Sequence, residues 1–214
     1  MTELLDYKYF AGVVIFTLLL IYTYYNGQRT NLKKIRGTAA SLEKALKPSN
    51  KRYTWLGGVV GFSADFKVEG FEEVQAVLTL IPRQSLLYMP FVLLLRGAED
   101  RLQMLFFLKE KPVEELHVIP VGKKRPHIHN MERLNRTVER HGDMDVEILY
   151  ERDPSAASGI AVALADRLSR VKQISLTPER AVFYVELFVK ALSPEELEEF
   201  LGRVCDFLST YKFK

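Results

Sequence analysis

The chain has 214 residues, 48% hydrophobic and 27% charged, with a formal net charge of +3 at neutral pH. That balance excludes a disordered or low-complexity chain and leaves room for one ordinary domain with a real core. A lone cysteine, Cys205, excludes an intramolecular disulfide and suits a reducing compartment.

The first element is an uncharged run from Tyr9 to Gln28, bounded by Lys8 and Arg29. As a helix rising about 1.5 Å per residue it covers roughly 30 Å, the thickness of a bilayer's hydrocarbon core. Tyr7, Tyr9 and Phe10 flank one end and Tyr22, Tyr24 and Tyr25 the other, where amphipathic rings favour the interfaces. A cleaved signal peptide fits poorly, because Glu3 and Asp6 replace a basic leader and no small-x-small site follows. Residues 1–28 therefore read as a transmembrane anchor.

Residues 29–50 read as a basic amphipathic stalk helix. Leu32, Ile35, Ala39, Leu42 and Leu46 recur at spacings of three and four, Gly37 interrupts the helix at some cost, and Pro48 and Ser49 end it. Between Arg29 and Arg52 lie Arg29, Lys33, Lys34, Arg36, Lys44, Lys47, Lys51 and Arg52 against Glu43 alone. With so few cations before the span, the positive-inside rule predicts the N-terminus outside and the rest of the chain in the cytoplasm.

Residues 51–214 then read as a cytosolic α+β domain with a largely antiparallel sheet and packed helices. Strands are predicted over 59–68 and from Val74 to Leu80, with a turn at Glu69-Gly70 between them. A helix is predicted over 83–95, kinked or shortened by Pro90 and closed by Gly97. Strands follow over 101–109 and 115–120. The stretch 122–142 has weak periodicity and much charge, and reads as a loop with a possible short helix. Beyond it come a strand over 145–150, a helix over 154–169 with Ile160, Leu164 and Leu168 on one face, and a hairpin of 171–176 with 181–189. Ser193-Pro194-Glu195-Glu196 is a capping box with proline at the first helical position. Leu197, Phe200, Leu201, Val204, Leu208 and Tyr211 form the stripe of the last helix.

No motif asks for catalysis or for a cofactor. Leu56-Gly57-Gly58-Val59-Val60-Gly61 lacks the following Lys-Ser/Thr of a phosphate loop and reads as a turn with a tight strand. His127, His129 and His141 have no carboxylate or cysteine at ligand spacing, so solvated loop histidines are the favoured reading over a metal site. Cys205 sits among Leu201, Val204 and Leu208 as a small buried hydrophobe. A second basic block, with Lys123, Lys124, Arg125, Arg133, Arg136 and Arg140 against Glu132 and Glu139, lies far from the anchor. Three readings of it stay open: a solvated loop, a surface for anionic lipid, or a surface for RNA phosphates.

Arg83-Gln84-Ser85-Leu86-Leu87, followed by Asp100-Arg101-Leu102-Gln103 opening a strand, resembles an Arg-Gln-Asp-Leu-Leu helix and Asp-x-x-Gln-type strand of the calumin-like family. Calumin is the coiled-coil-domain subunit of the PAT complex in the multipass translocon. Tyr53-Thr54-Trp55 before the first strands, and a strand then helix ending near Tyr211, are similar too. The chain differs in lacking the acidic luminal segment, with its calcium binding, and the long charged helical tail, as a compact prokaryotic or archaeal relative would. The resemblance implies a non-catalytic scaffold or chaperone in membrane-protein insertion. Its partners would be the lipid bilayer, the ribosome through rRNA phosphates, and a protein-conducting channel or Oxa1-type insertase. The alternative is a membrane-tethered module for anionic lipid or protein, unrelated to translation. In either case Arg29, Lys33, Lys34, Arg36, Lys123, Lys124, Arg125, Arg133, Arg136 and Arg140 are the expected contacts.

Overall fold

A computed structural model describes residues 2–96, 99–122, 126, 128, 131–190 and 192–211. It is an α+β fold: a long apolar N-terminal helix leads into a nine-stranded antiparallel sheet. Helix α1 runs without a break over Thr2–Leu46, 45 residues, or about 68 Å at 1.5 Å per residue. The expected anchor and stalk are thus one rod. Gly37 does not interrupt it: no neighbour crowds that position, and turns on both sides carry the helix through. α1 is long and apolar enough to cross a membrane, and the side chains of its apolar run are mostly exposed.

The strands are β1 (Asn50–Trp55), β2 (Gly61–Lys67), β3 (Phe71–Thr79), β4 (Arg101–Leu108), β5 (Leu116–Pro120), β6 (Asn135–His141), β7 (Met144–Tyr150), β8 (Val171–Thr177) and β9 (Val182–Phe188). Their spatial order is β1-β2-β3-β4-β9-β8-β5-β7-β6. Alternation decides which side of the sheet is covered. Phe62, Ala64 and Phe66, Val74, Ala76 and Leu78, Leu102, Met104 and Phe106, and Phe183, Val185 and Leu187 all point one way and are buried. Against them pack the second half of α1 (Ile35, Leu42, Leu46), helix α3 (Ser155–Ala163) and helix α4 (Pro194–Thr210). α4 carries the predicted capping box, Ser193 Oγ accepting from the Glu196 N–H while the Glu196 carboxylate accepts from the Ser193 N–H, and its whole predicted stripe through Leu208 is buried.

Three expectations are corrected. The helix placed over 83–95 begins only at Met89, as α2 (Met89–Arg96), because Pro90 lacks an N–H and crowds the preceding turn, so it is tolerated only at a helix start. The helix over 154–169 stops at Ala163; Leu164 leaves helical geometry (φ −114°, ψ 12°), and 165–170 continues as a 3₁₀ turn. The stretch 122–142 contains a strand, β6, joined to β7 by a tight Gly142-Asp143 turn with φ +61° at Gly142. As an edge strand with both faces polar, β6 shows no apolar alternation.

One polar cluster ties α1 to the sheet. Asp100, at the start of β4, has a side chain at 0% exposure. It accepts from both Arg83 amino groups (2.9 and 2.7 Å), from Lys34 Nζ (2.7 Å) and from the Ile81 N–H (3.0 Å). Asn31, also buried, donates to the carbonyls of Val59 (2.9 Å) and Ile81 (2.8 Å) and accepts from Arg83 (2.9 Å). Burial alone would raise the Asp100 carboxyl, but the hydrogen bonds from Arg83, Lys34 and Ile81 outweigh it and hold the group below the usual carboxylate range. One turn earlier Gly27 meets the backbone of residues 83–84, and a Cβ there would lie 2.3 Å from the Arg83 carbonyl oxygen. The absent side chain is what permits that approach.

Removing the shared negative charge leaves two half-buried cations facing each other with no anion between them. Asp100→Asn is expected to lower stability by about 3 kcal/mol, whereas Lys34→Met, whose ammonium is partly in water, costs about 1 kcal/mol. Thermal unfolding of the full chain in detergent micelles measures both.

Candidate ligand groove and basic surfaces

The other face of the sheet is only partly covered. Because neighbouring strands are antiparallel and in register, residues from distant parts of the chain fall into rows across it. One row runs Leu105, Tyr184, Ser175, His117 over β4, β9, β8 and β5, and a parallel row holds Gln103, Glu186 and Gln173. Phe107, Val182 and Thr177 make a third, more apolar row. Ile128, from the β5–β6 connection, packs on Ile119 and Leu149 and walls one side. The first and third rows, with Gln173, Ile128, Glu115, Glu179 and Arg180, line an open groove of about 640 Å³.

The polar side chains of the floor are mutually satisfied. His117 Nε2 lies 3.0 Å from Glu115 Oε1 and its Nδ1 lies 2.9 Å from Ser175 Oγ, which also accepts from Gln173 Nε2 at 2.6 Å. Burial pushes the His117 pKa down against the opposing pull of Glu115, so the ring is neutral at physiological pH. A carboxylate can only accept, which assigns the ring proton to Nε2 and leaves Nδ1 to accept from the Ser175 hydroxyl. Tyr184 bonds into the next row, donating to Glu186 (3.1 Å) and accepting from Gln103 (3.1 Å), while Lys172 reaches the same Glu186 carboxylate at 2.9 Å. Burial, then the Glu186 charge, raises the Tyr184 pKa and keeps its phenol protonated.

Acid, imidazole and hydroxyl in line invite comparison with a nucleophilic triad, and the surroundings argue against one. Ser175 stands in the middle of β8, between β9 and β5, so the backbone amides around it belong to the sheet ladders. Those ladder amides are therefore not free to stabilise an oxyanion beside the hydroxyl. What remains is a groove with one apolar flank and one flank of fixed donors and acceptors, suited to hold an amphipathic molecule or an extended peptide segment.

The predicted site residues fall elsewhere. Arg29, Lys33 and Arg36 are exposed on α1 just past the apolar run. Lys34 is drawn into the Asp100 cluster. Lys33 and Lys34 also border a shallow cleft of about 310 Å³ between α1 and the β9–α4 connection, with Lys190 opposite. Arg133, Arg136 and Arg140 are exposed, Arg136 pairing with the buried Glu147 at 2.6 Å. Lys123, Lys124 and Arg125, like His127 and His129, lie outside the described residues. His141 is 2.9 Å from Glu139. Among the described residues no three His, Cys, Asp or Glu side chains converge as a metal site would require. Cys205 is half-buried against the core, and burial pushes its thiol up to about 11, which disfavours the thiolate a nucleophile needs.

No family model matches the chain, and no curated protein does. Among solved structures it is similar to the mycobacterial trehalose monomycolate transport factor A, TtfA, at 12% identity and TM-score 0.35, over 78% of this chain and 75% of that one. A likeness so distant carries no argument about function.

None of the groove residues was singled out from the sequence. The available signal was His117, a lone polar side chain in the otherwise apolar β5. Because its folded pKa lies below the unfolded value of about 6.5, the unfolded chain takes up a proton first as pH falls. Stability is therefore expected to drop as pH falls below about 7, and His117→Gln to remove that share of the slope. Melting temperatures of the two proteins across that range make the comparison.

Proposed function

We propose that the chain is a single-pass membrane protein whose sheet domain is a non-catalytic binding module held against the cytoplasmic membrane surface. The observation that carries this is the unbroken α1. An apolar run that can span a bilayer continues as the same helix into the core, and the Asp100 cluster leaves it no hinge. A module meant to reach freely from the membrane would be joined through a flexible linker. Arg29, Lys33 and Arg36 form a cationic band one to two turns past Gln28, where headgroups lie, and support the domain being on the cytoplasmic side. In a Cys205→Ala background, Val138→Cys should resist an impermeant maleimide in intact cells and react once the membrane is permeabilised. Reaction in intact cells refutes this orientation.

Service to membrane-protein insertion is the use that the calumin-like layout supports for such a module. Newly made segments would meet the groove as the chain leaves the ribosome, and Arg133 and Arg140 offer exposed cations for rRNA phosphates. The solubilised full-length protein is then expected to co-sediment with ribosomes at moderate salt, and less so as salt rises. Failure to do so, with no crosslink to ribosome or translocon in cells, removes the insertion role. Binding to anionic but not neutral vesicles by the same protein would point instead to a lipid-directed module.

A further inference from the structure

The segment 84–95 (Gln-Ser-Leu-Leu-Tyr-Met-Pro-Phe-Val-Leu-Leu-Leu) has no charge and is bracketed by Arg83 and Arg96. It contains most of α2 and lies at the end of the domain where α1 leaves it. Four of its large side chains are turned outward: Leu87 is 63% exposed, Tyr88 52%, Phe91 61% and Leu94 84%. Only Val92 of α2's described side chains turns back into the protein. A spacing of three puts Phe91 and Leu94 on one side of α2, with Leu87 exposed in the turn just before it. Soluble surfaces rarely carry such a contiguous apolar patch without a use for it.

The position of the patch identifies what covers it. Residues 84–87 and Leu20, Ile21, Tyr24 and Tyr25 of α1 line a shared cleft of about 390 Å³. Those α1 residues belong to the run read as the membrane span, about 4–12 Å on its bilayer side of Gln28 at 1.5 Å per residue. If α1 spans, a segment packed beside residues 20–25 sits at the level of the lipid and not above it. Gly27 secures this, because its missing Cβ lets α1 touch the backbone of residues 83–84. Arg83 is in turn clamped by Asp100, so the height of the segment relative to α1 is fixed by the core. The segment is too short to cross: 12 residues as a helix reach about 18 Å against the roughly 30 Å needed.

We infer that residues 84–95 are a second membrane contact, an interfacial element whose Leu87, Tyr88, Phe91 and Leu94 side chains enter the acyl region of the leaflet beside α1. This rests on the reading of α1 as a spanning helix. The partner is the lipid bilayer itself. Tyr88 supplies the amphipathic ring such a depth favours, and Arg83 and Arg96 mark the two points where the chain returns to the headgroups. A two-point attachment would prevent the domain from rotating about α1, so the sheet would keep one face at a set angle to the membrane.

Site-directed spin labelling tests this on the full chain reconstituted in phosphatidylcholine–phosphatidylglycerol vesicles. Single cysteines are placed, in the Cys205→Ala background, at Phe91 and Leu94, at Val13 in the middle of the α1 run, and at Val138 on β6. All four native side chains are exposed, so the labels should not disturb folding. Collisions with a water-soluble nickel chelate at 91 and 94 are expected at least about fivefold lower than at 138, with high collisions with oxygen, at a depth shallower than 13. Chelate access at 94 equal to that at 138, with 13 still deep, overturns the inference and leaves the spanning helix standing. Exclusion of both oxygen and chelate at 94 means that a protein covers the patch, which also overturns it. Chelate access at 13 removes the spanning reading and this inference together.

Discussion

A carboxylate withdrawn completely from water is stable only if its surroundings hold it charged, and at Asp100 the surroundings are the joints of the whole molecule. Its four hydrogen bonds come from α1, from the residues after β3 and from the Arg83 side chain, while Asp100 itself opens β4. Apolar contacts such as those of Ile35, Leu42 and Leu46 favour burial but tolerate sliding, because they have no direction. The Asp100 and Asn31 bonds do have direction. A slip of α1 by one turn, about 5.4 Å, would break the Lys34–Asp100 bond and every Asn31 bond, leaving a buried amide without partners and the Asp100 charge to Arg83 and the Ile81 N–H alone.

That constraint carries through to the far face of the sheet. With α1, α3 and α4 committed to one side, the residues of alternate parity on β4, β9, β8 and β5 are left to the other. The groove is therefore a by-product of register: a shift of one residue between β8 and β9 would send either Ser175 or Tyr184 into the core. Side-chain bonds across the strands act against such shifts: Lys172 to Glu186 joins β8 to β9, His117 to Ser175 joins β5 to β8, and Gln103 to Tyr184 joins β4 to β9.

Much of the architecture was legible because it depends on local pattern. The capping box at Ser193, the stripe of α4, the β8–β9 hairpin and the turn at Gly70 are encoded within a few residues of where they act. Edge strands were not, since β1 and β6 carry charge on both faces and have no apolar rhythm to betray them. For β6 a signal existed in Gly142-Asp143, a two-residue hairpin turn flanked by strand-length runs. Arg83 and Asp100 stood out as parts of a familiar-looking pattern, but their role did not, because a pairing across 17 residues depends on where two loops meet. The groove was invisible for the same reason: its row is drawn from residues 105, 117, 175 and 184.

The charge pattern changes meaning once partners are known. Counted along the sequence, residues 29–52 are a dense cationic block, and such a block suggests an extended polyanion. In space Lys34 belongs to Asp100, Lys44 to Glu198, Lys51 to Glu43 and Arg52 to Asp65. Ion pairs with local acids cancel most of the field beyond a Debye length. Arg29, Lys33 and Arg36, with Lys47 at the far end of α1, are the members with no acidic partner among the described residues. The first three sit in the stretch immediately after the apolar run. A narrow cationic collar at that height matches a plane of lipid headgroups better than the long curved surface of a nucleic acid. Any contact with RNA would thus fall to the second block, whose Arg136 and Arg140 lie on β6 at the opposite edge of the sheet from β1.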